Sequence, residues 1–163
     1  MGQEISVSRF TAQDFSRFLQ RLQDETGQLD DWFRQRLFSN QGGIGGFELE
    51  AWLVDADGSP APVNHDFLAY LNNPLVVPEL AAFNVELNTD PRQLEAAALT
   101  AMEDSLAATW SACQQAAREF DASLVMVGIL PSVTQKQLSL RHMTSMARYR
   151  ALNEQVFLLR HGD

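Results

Sequence analysis

A single cysteine, Cys113, stands in a chain of 163 residues. No disulfide can close within it, which fits a reducing compartment. No apolar run approaches the ~20 residues that a membrane-crossing helix needs. The start, Met1-Gly2-Gln3-Glu4, has neither the basic nor the apolar segment of a signal peptide. Positive charge is scarce as well: 12 Lys and Arg stand against 21 Asp and Glu, a formal charge of −9. That balance disfavours nucleic acid and anionic membranes, whose proteins draw most of their affinity from basic side chains. Neither Gly-x-Gly-x-x-Gly nor Gly-x-x-x-x-Gly-Lys-Ser/Thr occurs, so the two commonest nucleotide loops are missing. His65, His142 and His161 lack any partner at metal-ligand spacing. The expectation that survives is a cytoplasmic globular protein, 45% hydrophobic and 20% charged, acting on small molecules.

What the chain does have is two stretches in which apolar residues alternate with acids or amides. Gly46-Phe47-Glu48-Leu49-Glu50 and Val85-Glu86-Leu87-Asn88 both read as strands. Side chains two apart on a strand share a face. Glu48 and Glu50 therefore point one way, with Trp52 after them, while Phe47, Leu49 and Ala51 point the other. Glu86 and Asn88 repeat the pattern. If both strands belong to one sheet, three carboxylates and an amide meet on one surface. Such a group repels itself unless a cation sits among its oxygens, and hard Mg²⁺ or Mn²⁺ prefers them. The plain alternative is a solvated face of an amphipathic sheet.

Around these strands, Thr11 with Asp14 forms the start of a helix, a capping box with Asp in place of Glu. Phe15, Phe18, Leu19 and Leu22 follow at helical spacing, and Leu29, Trp32, Phe33, Leu37 and Phe38 extend the stripe beyond Gly27. We read residues 1–40 as an added helical hairpin broken at Gly27 and 41–163 as the main domain. A short helix is expected over 66–71 and a long one over 93–120, burying Leu94, Ala98, Met102, Leu106 and Trp110. A strand is expected over 123–130 and a last helix over 144–159, while 75–80 has no decisive pattern. Cys113, without a neighbouring basic group, reads as an inert packed thiol. The fold class that emerges is α+β, an antiparallel sheet covered by helices.

The order Gly46-x-Glu48-x-Glu50, Glu86-x-Asn88, Gly128-Ile129-Leu130-Pro131, then Arg148-Tyr149-Arg150-Ala151-Leu152 resembles the N-terminal part of glutamate–cysteine ligases. It is most similar to their bacterial carboxylate–amine ligase branch, within the glutamine-synthetase-like superfold, and covers roughly residues 44–160. The resemblance implies a curved antiparallel sheet whose concave face carries Mg²⁺. It implies an enzyme that activates the γ-carboxylate of glutamate with ATP and passes it to an amine, usually that of cysteine. By the same resemblance Glu48, Glu50 and Glu86 are metal ligands and catalytic residues, and Asn88, Trp52, Pro131, Arg148 and Arg150 bind substrate or ATP. The two arginines are two apart on a helix, so at most one of them makes a direct contact. Family enzymes run to several hundred residues, which implies that this chain is part of a longer enzyme and inactive alone. Two other classes remain open: a non-catalytic module that docks through its aromatic N-terminus, and a metal-dependent hydrolase. A homo-oligomer is possible in any of these cases.

Overall fold

The computed structural model describes residues 3–161. Met1 and Gly2, on which part of the signal-peptide reading falls, and Gly162 and Asp163 lie outside them. The chain forms two compact units, one of residues 42–145 and one of residues 1–41 with 146–163.

The larger unit is built on a four-stranded sheet in the order β3-β4-β2-β6, antiparallel at every junction. Its strands are β2 (Glu48–Val54), β3 (Val76–Pro78), β4 (Asn84–Asn88) and β6 (Ser123–Val125). Helices α2 (Asn64–Leu71) and α3 (Ala98–Arg118) pack on one face of it. Period-two alternation decides which side chains go there. Ala51 and Leu53 of β2, Val85 and Leu87 of β4 and Leu124 of β6 are buried against Phe67 of α2 and Cys113, Ala116 and Ala117 of α3. The alanines let the helix approach the sheet closely. Burial among these apolar groups pushes the Cys113 thiol up to about 11, so it is the inert thiol expected.

The structure redraws several expected boundaries. The strand from Ile44 to Val54 is interrupted, and β1 (Ile44–Gly45) leaves the main sheet to pair with β5 (Arg92–Gln93). The long helix accordingly starts later than expected, at Ala98, and Leu94 is exposed rather than buried. Gly46 lies at the interruption. A Cβ there would meet Thr89 Oγ1 at 3.3 Å and the Thr89 carbonyl at 3.4 Å, so glycine allows the two segments to close together. The undecided segment 75–80 supplies β3, and β6 ends well short of Leu130.

In the smaller unit, α1 (Ala12–Gln35) starts at the expected capping box. The Asp14 N–H donates to Thr11 Oγ1 at 3.3 Å, and the Thr11 N–H donates to Asp14 Oδ2 at 2.8 Å. The Thr11 hydroxyl also donates to Asp14 Oδ2 at 2.6 Å, and this bond first, then the Thr11 N–H and Arg17, hold the Asp14 carboxyl down at about 2. The hairpin expected here is instead one helix of 24 residues, with Gly27 inside it. Interior glycine costs roughly 1 kcal/mol against alanine. Neighbouring pairs along the helix, Arg21 with Glu25 and Arg34 with Asp30, oppose that cost. No residue of α1 is buried. Helix α4 (Ala147–His161) completes the unit, with Glu4 accepting the Ala147 N–H at its start and Arg9 Nε donating to Glu154 at 2.9 Å. No helix among the described residues is long and apolar enough to cross a membrane.

Candidate carboxylate site

The face of the main sheet opposite α2 and α3 carries the acids. The register sets Glu48 opposite Asn88, Glu50 opposite Glu86 and Trp52 opposite Asn84. Two carboxylates are thus direct cross-strand neighbours, an arrangement that costs stability when both are ionised. Glu48 and Glu50 are exposed, whereas Glu86 keeps only 5% of its surface. Amides hold the carboxylates in place: Asn88 Nδ2 donates to Glu86 Oε1 at 2.9 Å, and Asn84 Nδ2 to Glu50 Oε2 at 3.2 Å.

A fourth acid joins them. Val77 pairs with Glu86 across β3 and β4, which brings Glu79, two residues on, toward the same face. The Glu79 carboxyl lies near enough to Glu86 and Glu50 to feel their charges. Burial raises its pKa first, and the charges of Glu86 and Glu50 raise it further, against a backbone N–H bond from Leu80 that lowers it. Neither Glu79 nor Asn84 figures among the sequence-derived site residues. The period-two spacing Asn84, Glu86, Asn88 could have marked the amide. Glu79 had no comparable signal, because Pro78 obscured the strand before it.

An open cleft of about 430 Å³ lies at one end of the acid row, lined by Gly46, Phe47, Glu48, Asn88, Thr89 and Pro91. Trp52 closes the other end. Its Nε1–H donates to the Val127 carbonyl at 2.7 Å, and its ring lies 6.0 Å from that of Phe83. It packs with Val54, Phe83 and Leu130 in a second apolar cluster, so it ties the loop before Pro131 to the sheet. Pro131 itself is exposed. Arg148 and Arg150 stand on α4 in the other unit, where the Arg148 guanidinium lies 4.7 Å over the Tyr149 ring and bonds its hydroxyl at 2.9 Å. Among the described residues no three His, Cys, Asp or Glu side chains are set to enclose a metal ion.

The fold is α+β, with a carboxylate-faced antiparallel sheet backed by helices. Residues 44–162 match the glutamate–cysteine ligase family 2, and the chain belongs to that family. Ligase activity of the glutamate–cysteine ligase kind is what the family brings with it. No curated protein and no solved structure matches the chain.

Proposed function

We propose that this chain carries the carboxylate wall of an ATP- and Mg²⁺-dependent ligase that joins the γ-carboxyl group of glutamate to an amine, with cysteine as that amine. The observation that supports it most is the direct opposition of Glu50 and the buried Glu86, with Glu79 close to both. A sheet with a purely solvated polar face has no reason to bury one acid and crowd two others beside it.

The donor chemistry suits Mg²⁺ or Mn²⁺, since every acidic donor on the face is a hard oxygen. Mg²⁺ is characteristically held by one or two carboxylates, with phosphate and water filling the rest of its shell. Of Glu48, Glu50 and Glu86, the directly opposed Glu50 and Glu86 would hold the ion, which when bound neutralises phosphate charge during phosphoryl transfer, while Glu48 lies further along the row. Asn84 and Asn88 orient the carboxylates through the hydrogen bonds described above. Trp52 keeps the loop ending at Pro131 against the sheet, where that loop shapes the substrate pocket. Arg148 and Arg150 are proposed to bind a substrate carboxylate or phosphate, a role suited to a guanidinium fork.

Calorimetric titration with Mg²⁺ tests the proposal. Glu86→Gln and Glu50→Gln should each weaken binding at least ~10-fold, on the scale expected for loss of a ligand or its close support. Thermal unfolding run in parallel checks that the variants fold. Equal affinities in folded wild type and variants would reduce the face to a structural one. In the longer enzyme that the family resemblance implies, glutamate- and cysteine-dependent release of ADP from ATP, lost in Glu86→Gln, tests the reaction itself.

A further inference from the structure

Helix α1 lies outside the part of the chain that matches the family and is not used by the proposed reaction. We propose that it is a self-association element, pairing antiparallel with α1 of a second copy of this chain. One row of its apolar side chains repeats every seven residues, and the rows beside it are interrupted at Glu25 and Thr26. Phe15, Leu22 and Leu29 form one row, flanked by Phe18 and Trp32 on one side and Leu19 and Phe33 on the other. A seven-residue repeat sustained along a helix is the pattern by which helices pair. All seven side chains are between 44% and 73% exposed.

Three observations select the partner. The first is area. At those exposures the stripe can remove roughly 700–900 Å² per copy from water, close to the ~800 Å² per partner of a stable interface.

The second is the order of the side chains along the helix. Read backwards about Asp24, which lies at the middle of α1, the stripe nearly repeats itself. Phe15 exchanges with Phe33, Leu19 with Leu29, and Leu22 with Thr26. A second copy laid antiparallel over the full helix meets like-sized partners at the Phe15–Phe33 and Leu19–Leu29 levels, while Phe18 and Trp32 come level with the smaller Asp30 and Ser16.

The third is charge. Arg21 and Glu25 lie on the same flank of the stripe near its centre and pair with each other at 3.3 Å within the helix. In an antiparallel pair Arg21 falls about two residues, or about 3 Å of rise, from the level of the partner's Glu25, and the ion pair can form twice between copies.

Sedimentation equilibrium of the full chain tests this. Wild type should be a dimer at micromolar concentration. Leu22→Lys, at the centre of the stripe, should be monomeric. Arg21→Glu should raise the dissociation constant at least ~10-fold, and Arg21→Glu combined with Glu25→Arg should recover most of the loss. Because no residue of α1 is buried, these variants should keep the circular-dichroism spectrum and cooperative unfolding of a folded chain, with a midpoint that no longer depends on protein concentration, which separates lost pairing from misfolding. A monomeric wild type overturns the proposal, whether the stripe folds back on its own chain or binds a vesicle surface. So does a dimer indifferent to Leu22→Lys. A dimer that loses affinity in Arg21→Glu without recovery in the double variant overturns the antiparallel arrangement.

Discussion

Asn64 offers the sharpest test of how the acid face is held. It is 2% exposed at the start of α2, and its Nδ2 faces three acceptors. These are the carbonyls of Ala81 and Asn84, both at 3.2 Å, and Thr144 Oγ1 at 2.9 Å. The Thr144 hydroxyl spends its own proton on the Glu79 carbonyl, so its oxygen can only accept from Asn64. One amide thus joins the backbone of both Glu79 and Asn84, two residues of the acid face. Asn64→Asp is nearly isosteric but removes the donors and sets a carboxylate against three oxygens. An uncompensated buried charge costs about 3–5 kcal/mol, more than the hydrogen bonds alone. For a unit of roughly 100 residues that lowers the midpoint of thermal unfolding by about 15–30 °C at pH 7. The new carboxyl has a folded-state pKa raised above its unfolded value, so stability present at low pH is lost as pH rises through the folded value. The deficit should shrink by pH 4, where the protonated group can donate once. Asn64→Leu should lose about 2–3 kcal/mol from the same missing bonds, independent of pH. Circular dichroism melts at both pH values measure each quantity. An Asn64→Asp protein within about 1 kcal/mol of wild type at pH 7, or a deficit constant with pH, would refute the reasoning.

Glu79 carries a pKa raised by burial and by Glu86 and Glu50, so its contribution is fully present below its unfolded pKa and lost as pH rises through the folded value. Glu79→Gln should therefore melt above wild type at pH 7, with the gap closing towards pH 4; a constant gap would mean that charge is not its origin. Asn88→Asp replaces the donor on Glu86 with another carboxylate. It should lower the midpoint at pH 7 and lose less on acidification, whereas a pH-independent loss would point to packing. Thr11→Ala removes the side-chain bond that most lowers the Asp14 pKa, so a carbon-13 titration should find it well above its present value of about 2. An unmoved titration would assign the shift to the Thr11 N–H and Arg17 instead.

The sheet and its acid face were legible because burial on one side imposes strict alternation, and a single-residue slip would exchange the two faces. Glu48, Glu50, Glu86 and Asn88 follow from that alone. The capping box was legible because Thr11 and Asp14 act within one turn of each other. Signals that depend on distant partners were not. β1 and β5 each have two residues, too short for any period, and exist because Leu94 N–H reaches the Gly43 carbonyl at 2.8 Å. β3 was hidden by its proline, which is tolerated at the edge of a sheet where the missing N–H faces no neighbour. Glu79 went unseen with it. The expected break at Gly27 assumed that propensity decides, yet the cost of one glycine is small beside the capping box and ion pairs of a 24-residue helix.

The alternation of amide and acid on β4 has an electrostatic consequence of its own. Asn84 and Asn88 flank Glu86 at two-residue spacing and give their N–H groups to Glu50 and Glu86. Neutral donors soften the repulsion between opposed carboxylates without cancelling their charge, so the field of the face persists. Asn84 also spends its donor group at a price in the other direction: its Oδ1 is buried with no hydrogen-bond partner. An orphaned buried acceptor costs about 1–3 kcal/mol, and a sheet selected only for stability would replace it with an apolar side chain. The face thus presents an excess of oxygen acceptors over donors, gathered from β2, β4 and the residue following β3. A cation or a donor-rich substrate is the chemistry that relieves such an excess. This imbalance, more than the number of acids, distinguishes the face from ordinary surface polarity.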